Sequence, residues 1–301
     1  MPLSDFAKLI FLAAIWGGSF IFLRIAVPEF GPMLTAMLRV GLAGLALAGY
    51  AVAAGVPMEW RRNAKPYALV GLTAAALPFS CFSFAAMHLP AAYSAVLNAT
   101  APLFGALFSI FWLAERLTVR KAAGLALGIC GVAILVGAGA LALNAATLLA
   151  AAACLGAAAS YAVSSIVVKL FSRDGGRRSI HPVALAAGSL AWGSLFLLPT
   201  LPFSMPAALP SALALWSVAA LALLSSALAQ AMFVPLIMRI GPTRAMSVTF
   251  LIPLFSMLWG LLFLREAVQL PMLIGAAVVL LAMALVLPAS PLRPMAAAAD
   301  T

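Results

Sequence analysis

Charge is scarce in this chain and negative charge scarcest: 301 residues carry seven Asp and Glu, 17 Lys and Arg, and two His. The seven carboxylates, Asp5, Glu29, Glu59, Glu115, Asp174, Glu266 and Asp300, fall in tails, in loops or at the ends of apolar runs. An acid in the middle of such a run is the usual means of relaying protons or pairing with an organic cation, so its lack argues against a cationic-drug/proton antiporter. Cysteine is limited to Cys81, Cys130 and Cys154, an odd number without metal-ligand spacing and all within apolar runs. No disulfide framework and no metal site follow from them. His88 and His181 stand at loop edges with no acid placed to orient either, and no phosphate loop, metal signature or nucleophile elbow is present. Neither an enzyme nor a cofactor is therefore expected. The net charge of +10 would suit nucleic acid, but the basic residues are spread over short breaks rather than clustered with aromatics, so no nucleic-acid partner is expected.

What is present is apolar: 66% of residues are hydrophobic, 8% are charged and the mean hydropathy is +1.18. Soluble domains sit near half apolar and a quarter charged. Apolar runs of about 20 residues, the length that crosses roughly 30 Å of hydrocarbon, recur with short polar breaks. The predicted spans are 6–27, 33–54, 66–87, 91–113, 122–141, 146–168, 183–202, 212–236, 243–264 and 270–288. A closed barrel would show shorter, alternating segments, so the expected fold class is all-α integral membrane with ten transmembrane helices. All basic residues but Arg24, Arg39 and Arg265 fall in segments that share one side if the N-terminus is inside. Basic residues are retained on the cytoplasmic side of short loops, so both termini are expected in the cytoplasm.

A block of the sequence occurs twice, 151 positions apart. The first copy runs from Met87 through Pro102, Leu113 and Glu115 to Gly124; the second from Met238 through Pro253, Leu264 and Glu266 to Gly275. Residues 1–141 and 146–288 are thus read as two five-helix repeats, followed by a short cytoplasmic tail at 289–301. The first run is retained rather than cleaved, because Ala13–Ser19 aligns with Ala158–Ser164 of the sixth span, with Arg24 on Lys169. An odd number of spans makes the second repeat enter from the opposite side, so the halves are inverted about an axis in the membrane plane, a build typical of secondary transporters.

Trp16-Gly17-x-x-Phe20, then Pro32 with Arg39 seven residues on, then Ala91 to Gly124 with Pro102-Leu103-Phe104 and Glu115-Arg116-Leu117-Thr118, resembles the EamA branch of the drug/metabolite transporter superfamily. Gly241 to Gly275, with Pro253-Leu254-Phe255 and Glu266, repeats the pattern, and the likeness covers about 6–288. The resemblance implies a ten-helix bacterial inner-membrane carrier of small metabolites, often outward, with a central cavity lined mainly by spans one, three, four, six, eight and nine. Within the branch the chain looks most like exporters of aromatic and other neutral amino acids. It departs from the signature where Gly often precedes the acid, having Ala114 and Arg265 instead.

By helical spacing Ser94, Asn98, Ala101 and Gly105 share a face of span four, and their repeat mates on span nine are Ala245, Thr249, Ile252 and Ser256. Candidate substrate-binding residues are therefore Trp16 and Ser19 on span one, Phe79 and Ser83 on span three, Ser94 and Asn98, Tyr161 and Ser164 on span six, Gln230 on span eight, and Thr249. Aromatic faces with a few hydroxyls and amides suit an apolar side chain on an amino-acid backbone. The bland reading is that Ser and Thr bond their own backbone, that Trp anchors at the interface and that Pro merely kinks. Pro102 and Pro253 free the carbonyls of Asn98 and Thr249 at matching depths and are read as hinges; Glu115 and Glu266 close helices at opposite faces and are read as gates. Arg39 either binds a substrate carboxylate or caps carbonyls and snorkels to the outer interface; the structural role is the expectation. The expected partners are an amino-acid substrate and the lipid bilayer, and the expected state is a monomer. Drug or nucleotide-sugar carriage, and a non-transport membrane scaffold, are the alternatives.

Overall fold

A computed structural model describes residues 2–112, 116–137, 144–172, 180–206, 208–240 and 248–286, apart from the side chains of residues 169, 170, 172, 234, 235 and 237–239. Among these residues the chain is helical throughout, without a strand. The helices are α1 (Leu3–Phe30), α2 (Pro32–Ala53), α3 (Ala64–Ala85), α4 (Ala91–Trp112), α5 (Val119–Gly137), α6 (Ala145–Ser172), α7 (Pro182–Leu197, prolonged by a 3-10 turn at Leu198–Phe203), α8 (Ala212–Ala219, Ala220–Leu228 and Ala229–Ile240 in succession), α9 (Val248–Leu264) and α10 (Leu270–Val286). Eight are long and apolar enough to cross a membrane; α9 and α10 are apolar but only 17 residues each. Predicted span six runs on to Ser172 and span eight to Ile240, because apolar periodicity fades before helical hydrogen bonding does.

Lipid tails are as apolar as Leu, so burial alone does not drive membrane helices together; close backbone approach does. The glycines show where that approach occurs. A Cβ on Gly131 of α5 would lie 2.9 Å from the Val279 amide of α10, and one on Gly275 of α10 would lie 2.9 Å from the Leu135 amide of α5. Gly17 of α1 brings that helix against α9, where a Cβ would sit 2.7 Å from Phe255 Cβ and 2.9 Å from the Ser256 amide. The pairings have a pattern. α5 packs on α10 and α2 on α7; α1 packs on α9 as α4 packs on α6; α3 packs on α6 and α7 as α8 packs on α1 and α2.

Three of the helices that surround the centre depart from α geometry. α4 breaks at Ala99–Thr100, where the Thr100 hydroxyl donates to the Leu97 carbonyl at 2.6 Å and Pro102, lacking an N–H, cannot bond the Asn98 carbonyl. α3 and α8 each contain a π segment, Leu72–Ala76 and Ala220–Leu228, which fall on one another under the 151-residue shift. A π turn leaves carbonyls free for partners outside the helix. The Thr73 carbonyl accepts the Ser160 hydroxyl of α6 at 2.7 Å, and the Ser225 carbonyl accepts the Trp16 indole N–H of α1 at 3.0 Å.

Candidate functional site

Between these helices lies a cavity of about 970 Å³. One wall is aromatic. Trp16, tied by its indole to α8, meets Phe233 edge-on at 5.0 Å between centroids, while Phe82 stacks on Tyr161 at 6.3 Å and takes Phe20 edge-on at 5.6 Å. The polar groups on the lining include Ser19, Arg39, Asn98, Gln230 and Thr249, with Ser225 and Ser226 from the π segment of α8. Among the described residues no Asp or Glu lines the cavity.

The two ends of the cavity differ. At one end the lining continues to Ser109, Lys121, Pro182 and Val286, which stand near the termini of α4, α5, α7 and α10. At the other it stops at Phe20 and Leu23, beneath a lock of four elements. Arg265 takes a left-handed conformation (φ +53°) that ends α9 and turns the chain back, so that the Glu266 N–H donates to the Gly260 carbonyl at 3.0 Å. The Glu266 carboxylate passes over Gly260, which has no side chain to block it, and accepts the Ala91 N–H at the start of α4 at 3.0 and 3.2 Å. It also lies 3.3 Å from Arg24 Nε of α1, whose Nη1 donates to the Ala86 carbonyl beyond α3 at 2.7 Å. Burial raises the Glu266 pKa above the ordinary carboxylate value, against the Arg24 charge and the Ala91 amide, which lower it. Nearby, Glu29 accepts the hydroxyl of Ser211, the N-cap of α8, at 2.7 Å and its amide as well, joining α1 to α8.

The comparisons with known proteins bear on this arrangement. Residues 7–137 and 148–287 each match the EamA-like transporter family. The chain belongs to that family. This EamA-like chain is 27% identical over 280 residues to the uncharacterized transporter YvbV of Bacillus subtilis, covering 92% of this chain and 90% of that protein. It is 29% identical over 261 residues to the uncharacterized inner membrane transporter YedA of Escherichia coli, covering 85% and 81%. A protein of Streptantibioticus cattleyicolor named as a probable terminal-alkyne amino-acid exporter is 29% identical over 195 residues, 64% of this chain and 63% of that one. A solved crystal structure superposes with a TM-score of 0.64 over 95% of this chain and 96% of the other at 20% identity, a likeness of fold. The chain is thus a multi-pass membrane protein of a transporter family.

Of the EamA-like chain's sequence-predicted residues, Trp16, Ser19, Phe79, Asn98, Pro102, Tyr161, Gln230 and Thr249 line the cavity. Ser83, Ser94 and Ser164 do not. Ser83 is fully buried in α3, Ser94 lies against Cys154 of α6 above the break in α4, and Ser164 is buried on the far side of α6, leaving Ser165 on the lining. Helical spacing carried Ser94 along with Asn98, but two polar residues on one face of a helix cannot be separated without knowing which neighbour each one meets. Pro253 is buried inside α9 and is not on the lining, although Thr249 and Ile252 before it are. Glu266 stands in the lock; Glu115 lies outside the described residues. Spans two and seven, which the resemblance left out, contribute Arg39 and the stretch around Ala186 and Ser189. The expectation that Arg39 snorkels to the interface is corrected: it is buried and on the cavity, since Ser226 and Phe79 offer it a place there.

Proposed function

We propose that the protein is a secondary carrier that exports small neutral or zwitterionic metabolites, aromatic and other apolar amino acids foremost, across the bacterial inner membrane. The observation that carries this reading is the cavity itself. Its volume falls in the range of small-molecule sites, its wall is aromatic, its lining is mostly apolar with hydroxyls and amides among it, and no carboxylate among the described residues lines it to hold a lone cation. The named amino-acid exporter among the relatives supports the same substrate class.

The mechanism we propose is alternating access between two inverted five-helix repeats of ten membrane crossings. Two consecutive matches to one family, the paired π segments and the reciprocal helix pairings support the two-fold relation. With the positive-inside orientation, the Lys121 end faces the cytoplasm and the Glu266 lock faces out, so the arrangement corresponds to an inward-open carrier shut on the outside. Substrate enters from the cytoplasm past Lys121, lodges between Trp16 and Tyr161, and leaves when the contacts among Arg24, Ala91 and Glu266 part.

Radiolabelled amino-acid flux in proteoliposomes tests the reading, with Asn98→Ala and Trp16→Ala beside the wild type. The expected result is flux of apolar neutral amino acids that both substitutions reduce. Absence of flux for every neutral amino acid in the wild type refutes it.

A further inference from the structure

Arg39 is a full positive charge within a membrane helix, 6% exposed and on the wall of the cavity. Such a charge is costly and is ordinarily matched by a carboxylate or by several carbonyls. Here the guanidinium is fixed in place but not neutralised. Its Nε donates to Ser226 Oγ at 3.1 Å, and its carbon lies 4.0 Å from the centroid of the Phe79 ring. Ser226 gives its own proton to the Leu221 carbonyl at 2.9 Å, so its oxygen is left to accept from Arg39. Among the described residues the Nε bond is the hydrogen bond the side chain makes, and no carboxylate pairs with it. The two terminal nitrogens are therefore left as donors on a side chain that Phe79 and Ser226 hold at the wall of the cavity.

From this geometry we propose that Arg39 is the anchor for the carboxylate of the transported molecule, taking it by the fork of its terminal nitrogens. The inference rests on the carrier reading above and deepens it. A planar fork with two parallel donors fits a carboxylate, and one monoanionic group neutralises one guanidinium. A phosphate dianion would require a second cation, and the other basic residue on the lining, Lys121, stands at the cavity's end. The aromatic wall of Phe82 and Tyr161 then receives the substrate's side chain, and the amino group is left to neutral oxygens. The substrate class is thus defined by what it must carry: a carboxylate next to an apolar body. Amines and amides of the same shape lack the group that the arginine needs.

Counterflow of radiolabelled L-phenylalanine, L-leucine and L-threonine in proteoliposomes tests this, with the matching amino-acid amides and decarboxylated amines as competitors. In the wild type the acids compete at least tenfold more strongly than the amides or amines, which corresponds to about 1.4 kcal/mol. In Arg39→Gln the apparent affinity for the acids falls at least tenfold, while the weak competition by amides is unchanged. Ser226→Ala lowers acid affinity less, by releasing the guanidinium's orientation. Equal competition by acids and amines in the wild type overturns the assignment, and that arm does not depend on any variant folding. So does a monodisperse Arg39→Gln protein that moves the acids within about twofold of wild type. Wild-type vesicles that move neither these three nor any other neutral amino acid refute the carrier reading itself; flux without dependence on the carboxylate refutes the role of Arg39 alone.

Discussion

Removing the Glu266 side chain should open the end of the cavity that it shuts. In Glu266→Ala the Ala91 amide loses its acceptor, and Arg24, whose side chain is 33% exposed, keeps a charge with no carboxylate beside it. A buried hydrogen bond to a charged group contributes about 1.5–3 kcal/mol, and the half-wet ion pair adds little after desolvation and screening. We take about 2 kcal/mol as the loss, which raises the population open at this end about 30-fold. Leu23 is the cavity residue just beneath the lock and is 1% exposed. With Cys81, Cys130 and Cys154 replaced, a Leu23→Cys probe should react with an impermeant thiol reagent, added from the Glu266 side, about 30-fold faster when Glu266→Ala is present. Glu266→Gln gives up the charge but keeps the shape and one acceptor oxygen for the Ala91 amide, and should accelerate labelling only a few-fold. A folded Glu266→Ala protein labelled at the wild-type rate would refute the claim that these contacts hold the end shut.

The same carboxyl gives the lock a pH dependence. Its raised pKa means that the shut arrangement holds a proton more tightly than an open, solvated one, so its contribution is complete below 4.5 and fades as pH rises through the raised value; spin labels at His88 and Gln269 should show the shorter distance gaining population as pH is lowered towards 4.5. Gly17→Val should force α1 from α9, since its first carbon already meets Phe255 and Ser256 inside 3 Å, and should cost about 1–3 kcal/mol or more in detergent melting, whereas Gly49→Ala, which meets nothing within 4 Å, should be neutral. Arg265→Gly relieves a left-handed backbone at an exposed position and should stabilise by about 1 kcal/mol, read as a raised Tm. Trp16→Phe keeps the ring but loses the bond to the Ser225 carbonyl, and should lower flux more than melting temperature.

The run lengths of the sequence were enough to mark an all-helical membrane chain, eight of whose described helices are long and apolar enough to span, because a span is a matter of length and polarity. They could not say which faces turn inward. Asn98 and Thr249 were legible as lining residues, since an amide or hydroxyl beside a proline break has few other places to go; Ser83 and Ser94, equally polar, serve helix packing instead. Arg39 was misjudged because its two partners, Phe79 and Ser226, lie on helices 40 and 187 residues away, and only the fold brings them together. The replacement of Gly by Arg265 before Glu266 was visible as a departure, but its meaning, a non-glycine residue held at positive φ, required the backbone. The π segments left no trace in composition, as Leu72–Ala76 and Ala220–Leu228 are ordinary apolar stretches.

Those π segments also decouple the two halves of α3 and α8 from each other. Each residue advances a helix by about 100°, and a π turn absorbs one more residue than an α turn before the chain resumes its course. Deleting a single residue from Ala220–Leu228 would let α8 close into uninterrupted α-helix while Ala212–Ala219 keeps its packing and Gln230 and Phe233 stay on the cavity. A one-residue deletion inside a membrane helix is ordinarily ruinous; at these two places the helix has a residue to spare, and what the deletion would take from α8 is the free carbonyl that holds the Trp16 indole.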